Sequence, residues 1–181
     1  MGYRLKKTVV LVGMMGAGKS SVGRTLAEIL EAPFRDSDAE IEQAANMTVA
    51  EIFTRDGETF FRAKEAQVIS RLLDETPSIL STGGGAYMQA GNREEIHDKG
   101  VAVWLDADLD LLWTRVKHRD SRPLLRTPNP RATLSEIYRK RTPVYAKAEL
   151  QVKADASFSL HQMAKRVVGA LLTRPDVLEK T

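Results

Sequence analysis

The eight residues Gly13-Met14-Met15-Gly16-Ala17-Gly18-Lys19-Ser20 constrain this chain more than any other stretch. They follow the pattern Gly, four residues, Gly-Lys-Ser. Glycine-rich backbone turns tightly and brings successive N–H groups close to an anion. A lysine at the seventh position reaches the β- and γ-phosphates of a nucleotide, and the following hydroxyl can hold Mg²⁺. The context is right. Thr8–Val12 is an apolar, β-branched run that reads as a buried parallel strand, and Val22, Leu26, Ile29 and Leu30 mark the inner face of a following helix. That helix points its positive dipole end at the same phosphates. Gly16, Ala17, Gly18, Lys19, Ser20 and Ser21 are therefore the candidate nucleotide-binding residues. An ordinary glycine-rich turn is the blander alternative, and the flanking strand and helix count against it.

Strands and helices alternate along the rest of the chain. After a flexible lead-in over Met1–Lys7, strands are expected near 8–12, 33–36, 78–82, 101–105 and 150–152. Helices are expected near 19–31, after Asp38, from a Thr48/Glu51 capping box to Asp56-Gly57, and from Glu58 to Pro77. Further helices are expected over 92–99, 108–117, 133–148 and 159–172, the last with Leu160 and Met163 inward, and the tail 174–181 is expected to fray. This alternation implies an α/β fold with a mostly parallel sheet and helices on both faces. Residues 119–131 contain three prolines and four arginines, too polar for a core, and are a candidate mobile lid.

A chain of 181 residues suits one α/β domain, here taken as 1–181. No apolar run approaches a membrane span, and the polar, basic start does not resemble a secretory signal. There is no cysteine, so disulfides and thiolate metal sites are excluded and a reducing cytoplasm is compatible. The net charge is only +3, yet Arg115, Lys117, Arg119, Arg122, Arg126, Arg131, Arg139, Lys140 and Arg141 cluster in one stretch. Such a cluster could close over nucleotide phosphates, bind nucleic acid or simply be solvated; the phosphate loop favours the first.

Three further groups carry chemistry. Asp36 and Asp38 follow the second strand, at the sheet end where open parallel sheets bind ligands. One of them could support Mg²⁺ through water, and the other could accept a proton from an attacking hydroxyl; both could instead be helix N-caps. Gly83-Gly84-Gly85 directly follows a strand, which suits a backbone that must pass close to a ligand. Asp106 ends an apolar strand and reads as an N-cap or turn residue, since the Asp36–Asp38 pair is the better metal candidate. His97, His118 and His161 have no metal-binding spacing.

Taken in order, Gly13–Ser20, Asp36-Ser37-Asp38, Gly57-Glu58 with Phe61-Arg62, Gly83-Gly84-Gly85, and Arg122-Pro123-Leu124-Leu125 followed by Arg141 and Tyr145 resemble the shikimate kinase family, within the nucleoside-monophosphate-kinase-like group of phosphate-loop enzymes. The resemblance implies a three-layer P-loop kinase fold with a five-stranded parallel sheet of order 2-3-1-4-5. It implies ATP and Mg²⁺, and transfer of the γ-phosphoryl group to the 3-hydroxyl of shikimate, in the pathway to chorismate and aromatic amino acids. By position it implies catalytic roles for Lys19, Asp38 and Arg122. Acceptor contacts would come from Asp38, Arg62, Gly83, Gly84, Gly85 and Arg141, within helices spanning about 37–73 and the glycine run. Ser20 and Asp36 would organise the metal, Arg115 would pack on adenine, and Arg122 would swing in on the lid. The resemblance weakens after Val152, and a second adenine contact near Ala154–Ser157 is left unassigned. A kinase for another small hydroxylated acid such as gluconate is the alternative acceptor class. A GTP switch is disfavoured because no Asn-Lys-x-Asp motif is present. With no nucleic-acid or membrane partner and no apolar stripe left over, a cytoplasmic monomer is expected.

Overall fold

A computed structural model describes residues 2–118 and 125–181. The chain begins with β1 (Tyr3–Leu5) and β2 (Thr8–Val12), and the phosphate loop leads into α1 (Lys19–Leu30). Next come β3 (Phe34–Asp36), α2 (Ser37–Ala45), α3 (Val49–Asp74) and β4 (Ile79–Ser81). Then follow α4 (Ala90–Lys99), β5 (Gly100–Asp106), α5 (Leu109–Val116), α6 (Pro130–Tyr145), β6 (Leu150–Lys153), α7 (Leu160–Leu171) and β7 (Leu178–Lys180).

Five strands form one parallel sheet in the order β3-β4-β2-β5-β6. Counting only these strands, this is the expected order 2-3-1-4-5. β2 is central and wholly buried, which is why its sequence is continuously apolar rather than alternating. From β2 the chain steps one way through α1 to β3, and the opposite way through α3 and α4 to β4 and β5. Right-handed crossovers then put α1 on one face and α3 and α4 on the other. The packing agrees: α1 lies against α7, and α3 against α4. The order reverses beside β2, so the carboxyl ends of β2, β3, β4 and β5 open onto one crevice.

The helix boundaries have local causes. Pro33 and the αL residue Glu31 (φ 51°) stop α1. Thr48 caps α3 by accepting from the Glu51 N–H, but its hydroxyl turns to the Glu51 carboxylate (3.1 Å), so the capping box is half made. The expected break at Asp56-Gly57 is a kink at Gly57 (φ 85°, ψ 172°) within α3.

Both termini differ from expectation. The lead-in and tail pair as an antiparallel ribbon, with Tyr3 opposite Lys180 and Leu5 opposite Leu178. Val177 and Leu178 are buried, Lys6 pairs with Glu179, and Lys7 reaches Asp176 (3.4 Å). Apolar anchoring therefore orders a segment that its polar composition marks as frayed. Leu160, expected inward on α7, is exposed. The candidate lid also ends earlier than expected: Pro130 and Arg131 already belong to α6, and Arg131 is held by Asp110 (2.5 Å).

Candidate active site

The phosphate loop builds its side of the site from main chain. Gly16 (φ 84°) and Gly18 (φ 95°) hold left-handed conformations that wrap the loop, and Gly18 is the N-cap of α1. A Cβ on Gly16 would lie 2.7 Å from Val116. Lys19, largely buried, folds over its own loop and donates to the Gly13 carbonyl (2.6 Å) and the Met14 carbonyl (3.1 Å). Ser20 donates to Asp36 Oδ2 (3.1 Å) and lies 3.3 Å from the Ser81 hydroxyl. These hard oxygens, gathered at the ends of three elements, are the donor type Mg²⁺ takes. Arg115, half-buried on α5, donates to the Gly16 carbonyl (3.0 Å), and burial lowers its pKa.

Asp36 fulfils one of the readings open from sequence, the helix N-cap. Its Oδ2 takes the Ser20 hydroxyl, and its Oδ1 caps α2 through the Asp38 and Ala39 N–H groups (3.0 and 3.2 Å). Asp38 is different. Its Oδ1 is sealed from solvent and accepts no hydrogen bond among the described residues. Desolvation, with the charge of Asp36 adding to it, pushes the Asp38 carboxyl up to about 6, against the pull of Lys19 and Arg62.

The opposite side is built from side chains that converge on the glycine run. A Cβ on Gly83 would sit 3.0 Å from Asp38 Oδ1, one on Gly84 would sit 2.8 Å from Arg141 Nη1, and one on Gly85 would collide with the Arg62 guanidinium. Each glycine thus leaves room for one charged group, which explains three in succession. Arg62 is held by Glu65 (2.8 Å), whose side chain is fully buried. Burial raises the Glu65 pKa against the opposing pull of Arg62, and Glu65 Oε2 accepts nothing among the described residues. Tyr145, also fully buried, donates its hydroxyl to the Gly84 carbonyl (2.6 Å).

A cavity of about 480 Å³ runs between the two sides, lined by the phosphate loop, Asp36, Asp38, Thr82, Gly83 and Gly84. Its far wall is Ala154, Phe158, Leu160 and Met163, together with Arg115. Leu160 is exposed because it faces this cavity rather than the core. Ser21, at its edge, is exposed.

The structure therefore brings together Gly16 to Ser21, Asp36, Asp38, Arg62, Gly83 to Gly85, Arg115 and Arg141. Arg122 lies outside the described residues. Sequence reasoning missed Glu65, and left the adenine contact near 154–157 unassigned while taking Leu160 and Met163 as core. The first left a signal: Phe61, Glu65, Val68, Ile69 and Leu72 share one helical face, and a carboxylate in an apolar stripe needs a partner. Asp106 is corrected. Asp108, not Asp106, caps α5, while Asp106 is buried and accepts from Gln151 and Lys153 of β6 (2.7 Å each). Among the described residues no cluster of His, Cys, Asp and Glu forms a metal site of its own, and no helix is long and apolar enough to cross a membrane.

Comparison with known proteins bears on this arrangement. The profile of the shikimate kinase family matches residues 15–172. The shikimate kinase of Cereibacter sphaeroides is 63% identical over 176 residues, covering 97% of this chain and 88% of that protein. That of Ruegeria pomeroyi is 60% identical over 175 residues, covering 97% and 90%. Among solved structures, shikimate kinase from Acinetobacter baumannii in complex with shikimate superposes with a TM-score of 0.88 at 36% identity, covering 92% of this chain and 93% of that one.

Proposed function

Because the chain belongs to the shikimate kinase family, we infer that it phosphorylates shikimate with ATP as donor, and we propose the following division of roles among its residues. One observation carries the acceptor assignment: the glycine run makes room for Asp38, Arg141 and Arg62, setting a carboxylate base beside two guanidinium groups. That set suits a small acceptor with one carboxylate and several hydroxyls.

Arg62 and Arg141 fork onto the acceptor carboxylate. The Asp38 carboxylate, which lines the cavity, then receives an acceptor hydroxyl. Asp38 accepts the proton of the 3-hydroxyl as that oxygen bonds to the γ-phosphorus, the bond to the ADP oxygen breaks, and ADP leaves. Lys19 exchanges its loop carbonyls for phosphate oxygens and, with the amides of 16–20, stabilises the charge spread over the transferring group. Ser20 directly, and Asp36 through water, would hold Mg²⁺, which neutralises phosphate charge when bound. Adenine packs between Arg115 and the apolar wall of Ala154, Phe158 and Leu160. Arg122 is proposed to reach the phosphates from the lid. We take residues 1–181 as a single catalytic domain, acting as a monomer in the cytoplasm, with helices 37–73 carrying the acceptor.

The test is ADP release from ATP and Mg²⁺ with shikimate, with gluconate and with no acceptor, followed by NMR of the product. Release only with shikimate, with phosphate on the 3-oxygen, is expected. Equal release with gluconate would overturn the acceptor assignment.

A further inference from the structure

Tyr145 has a place in the site that the roles above do not use. Its side chain is wholly buried, near the end of α6 and one turn beyond Arg141, so both project from the same face of that helix. Its hydroxyl donates to the Gly84 carbonyl at 2.6 Å, while its ring packs on Trp104 of β5 (6.2 Å between centroids, tilted 31°). Desolvation pushes the phenol up to about 12, with Arg141 opposing, so the hydroxyl keeps its proton and stays a donor. A Cβ on Gly84 would clash with Arg141 at 2.8 Å, and would lie in contact with the Tyr145 hydroxyl at 3.6 Å and the Gly13 carbonyl at 3.8 Å.

A glycine run has little to fix its peptide planes, and carbonyl and N–H lie on opposite sides of a trans peptide. Holding the Gly84 carbonyl toward α6 therefore turns the Gly85 N–H the other way. Neither the Gly84 nor the Gly85 amide donates to another group among the described residues. Resting on the acceptor role given above to Gly84 and Arg141, we propose that Tyr145 is a positioning residue: its hydroxyl locks the Gly84–Gly85 peptide so that main-chain N–H groups and the Arg141 guanidinium meet the acceptor in one fixed geometry. It touches no reacting atom. It acts through Gly84, and it ties the glycine run to the helix that also carries Arg141.

The experiment compares Tyr145→Phe with wild type for kcat and for the KM values of shikimate and ATP, with thermal melting alongside. Phenylalanine keeps the ring on Trp104 and removes the hydroxyl, with its bonds to the Gly84 carbonyl and the Arg141 side chain. The expected result is a fall of about tenfold in kcat/KM for shikimate, the scale of one lost bond to a buried carbonyl, with the ATP KM within about twofold. Unchanged shikimate parameters would overturn the proposal, and so would an equal loss on both substrates accompanied by a lower melting temperature. Should Tyr145→Phe melt below the assay temperature, a fluorinated tyrosine at 145 replaces it. This keeps shape and hydroxyl but ionises at lower pH, so a new alkaline fall in shikimate kcat/KM is expected, and its absence would count against the proposal. A wild-type enzyme inactive with shikimate would instead remove the acceptor role itself, a failure visible before any variant is made.

Discussion

The two sides of the cavity are made from different material. The nucleotide side centres on eight consecutive residues, joined by Arg115 and the 154–163 wall, and what those eight present is mainly backbone: positive-φ glycines, loop amides and a helix start, with Lys19 as the one cation supplied by the loop itself. The acceptor side gathers Asp38 from α2, Arg62 and Glu65 from α3, the glycine run after β4, and Arg141 and Tyr145 from α6. What it presents is charge on side chains. A site made of local backbone is robust to the rest of the chain, and phosphate looks alike in every nucleotide. A site made of distant side chains is where specificity for one small acid can be set.

The largest way to sharpen that contrast is to remove one chemical group from each side. Asp38→Asn takes away the proposed proton acceptor and should lower kcat by about 10²–10⁴. Lys19→Ala should lower it by about 10²–10³ through lost transition-state stabilisation. The two should part in stability. The Asp38 carboxyl ionises near 6 when folded against an ordinary 3.8, so the folded protein holds this proton more tightly than the unfolded chain. The stabilisation it gives is present below 3.8 and is lost as pH rises through about 6. At neutral pH, Asp38→Asn should therefore melt no lower than wild type, and a clear drop would contradict the desolvation account. By the same shift, kcat/KM for shikimate should climb as pH rises through about 6, and the climb should vanish in Asp38→Asn.

Smaller effects are expected from the supports of each side. Arg62→Ala strands the buried Glu65 carboxylate and removes one fork, so shikimate KM should rise about thirtyfold or more while ATP KM holds. Gly85→Ala drives a methyl into the Arg62 guanidinium and should mimic this more weakly, by about tenfold in shikimate KM. On the donor side, Asp106→Asn loosens the links to Gln151 and Lys153 that set β6 just ahead of the apolar wall. Only ATP KM should move, by about threefold, measured in the same assay.

How much of this was legible in the sequence follows the same divide. The donor loop was read residue by residue because its chemistry is consecutive. The glycine run was legible as a place of close approach, but what it approaches was not derivable from spacing, since Asp38, Arg141 and Arg62 arrive from three other elements. The sheet order came from the family resemblance, and alternation alone gave only its parallel character. The terminal ribbon was missed because two three-residue strands, Tyr3–Leu5 and Leu178–Lys180, carry no periodicity and depend on a partner at the other end of the chain. Asp106 was misassigned because a carboxylate between a strand and a helix looks like a cap, and the lysine that neutralises it lies on a different strand.

The most direct test is calorimetric titration of wild type and Arg141→Ala with shikimate and, separately, with a non-hydrolysable ATP analogue. If the sides are built independently as described, shikimate affinity falls by about tenfold or more and analogue affinity stays within about twofold. A parallel loss for both ligands, with the protein still folded, would contradict the division between a backbone-made donor side and a side-chain-made acceptor side.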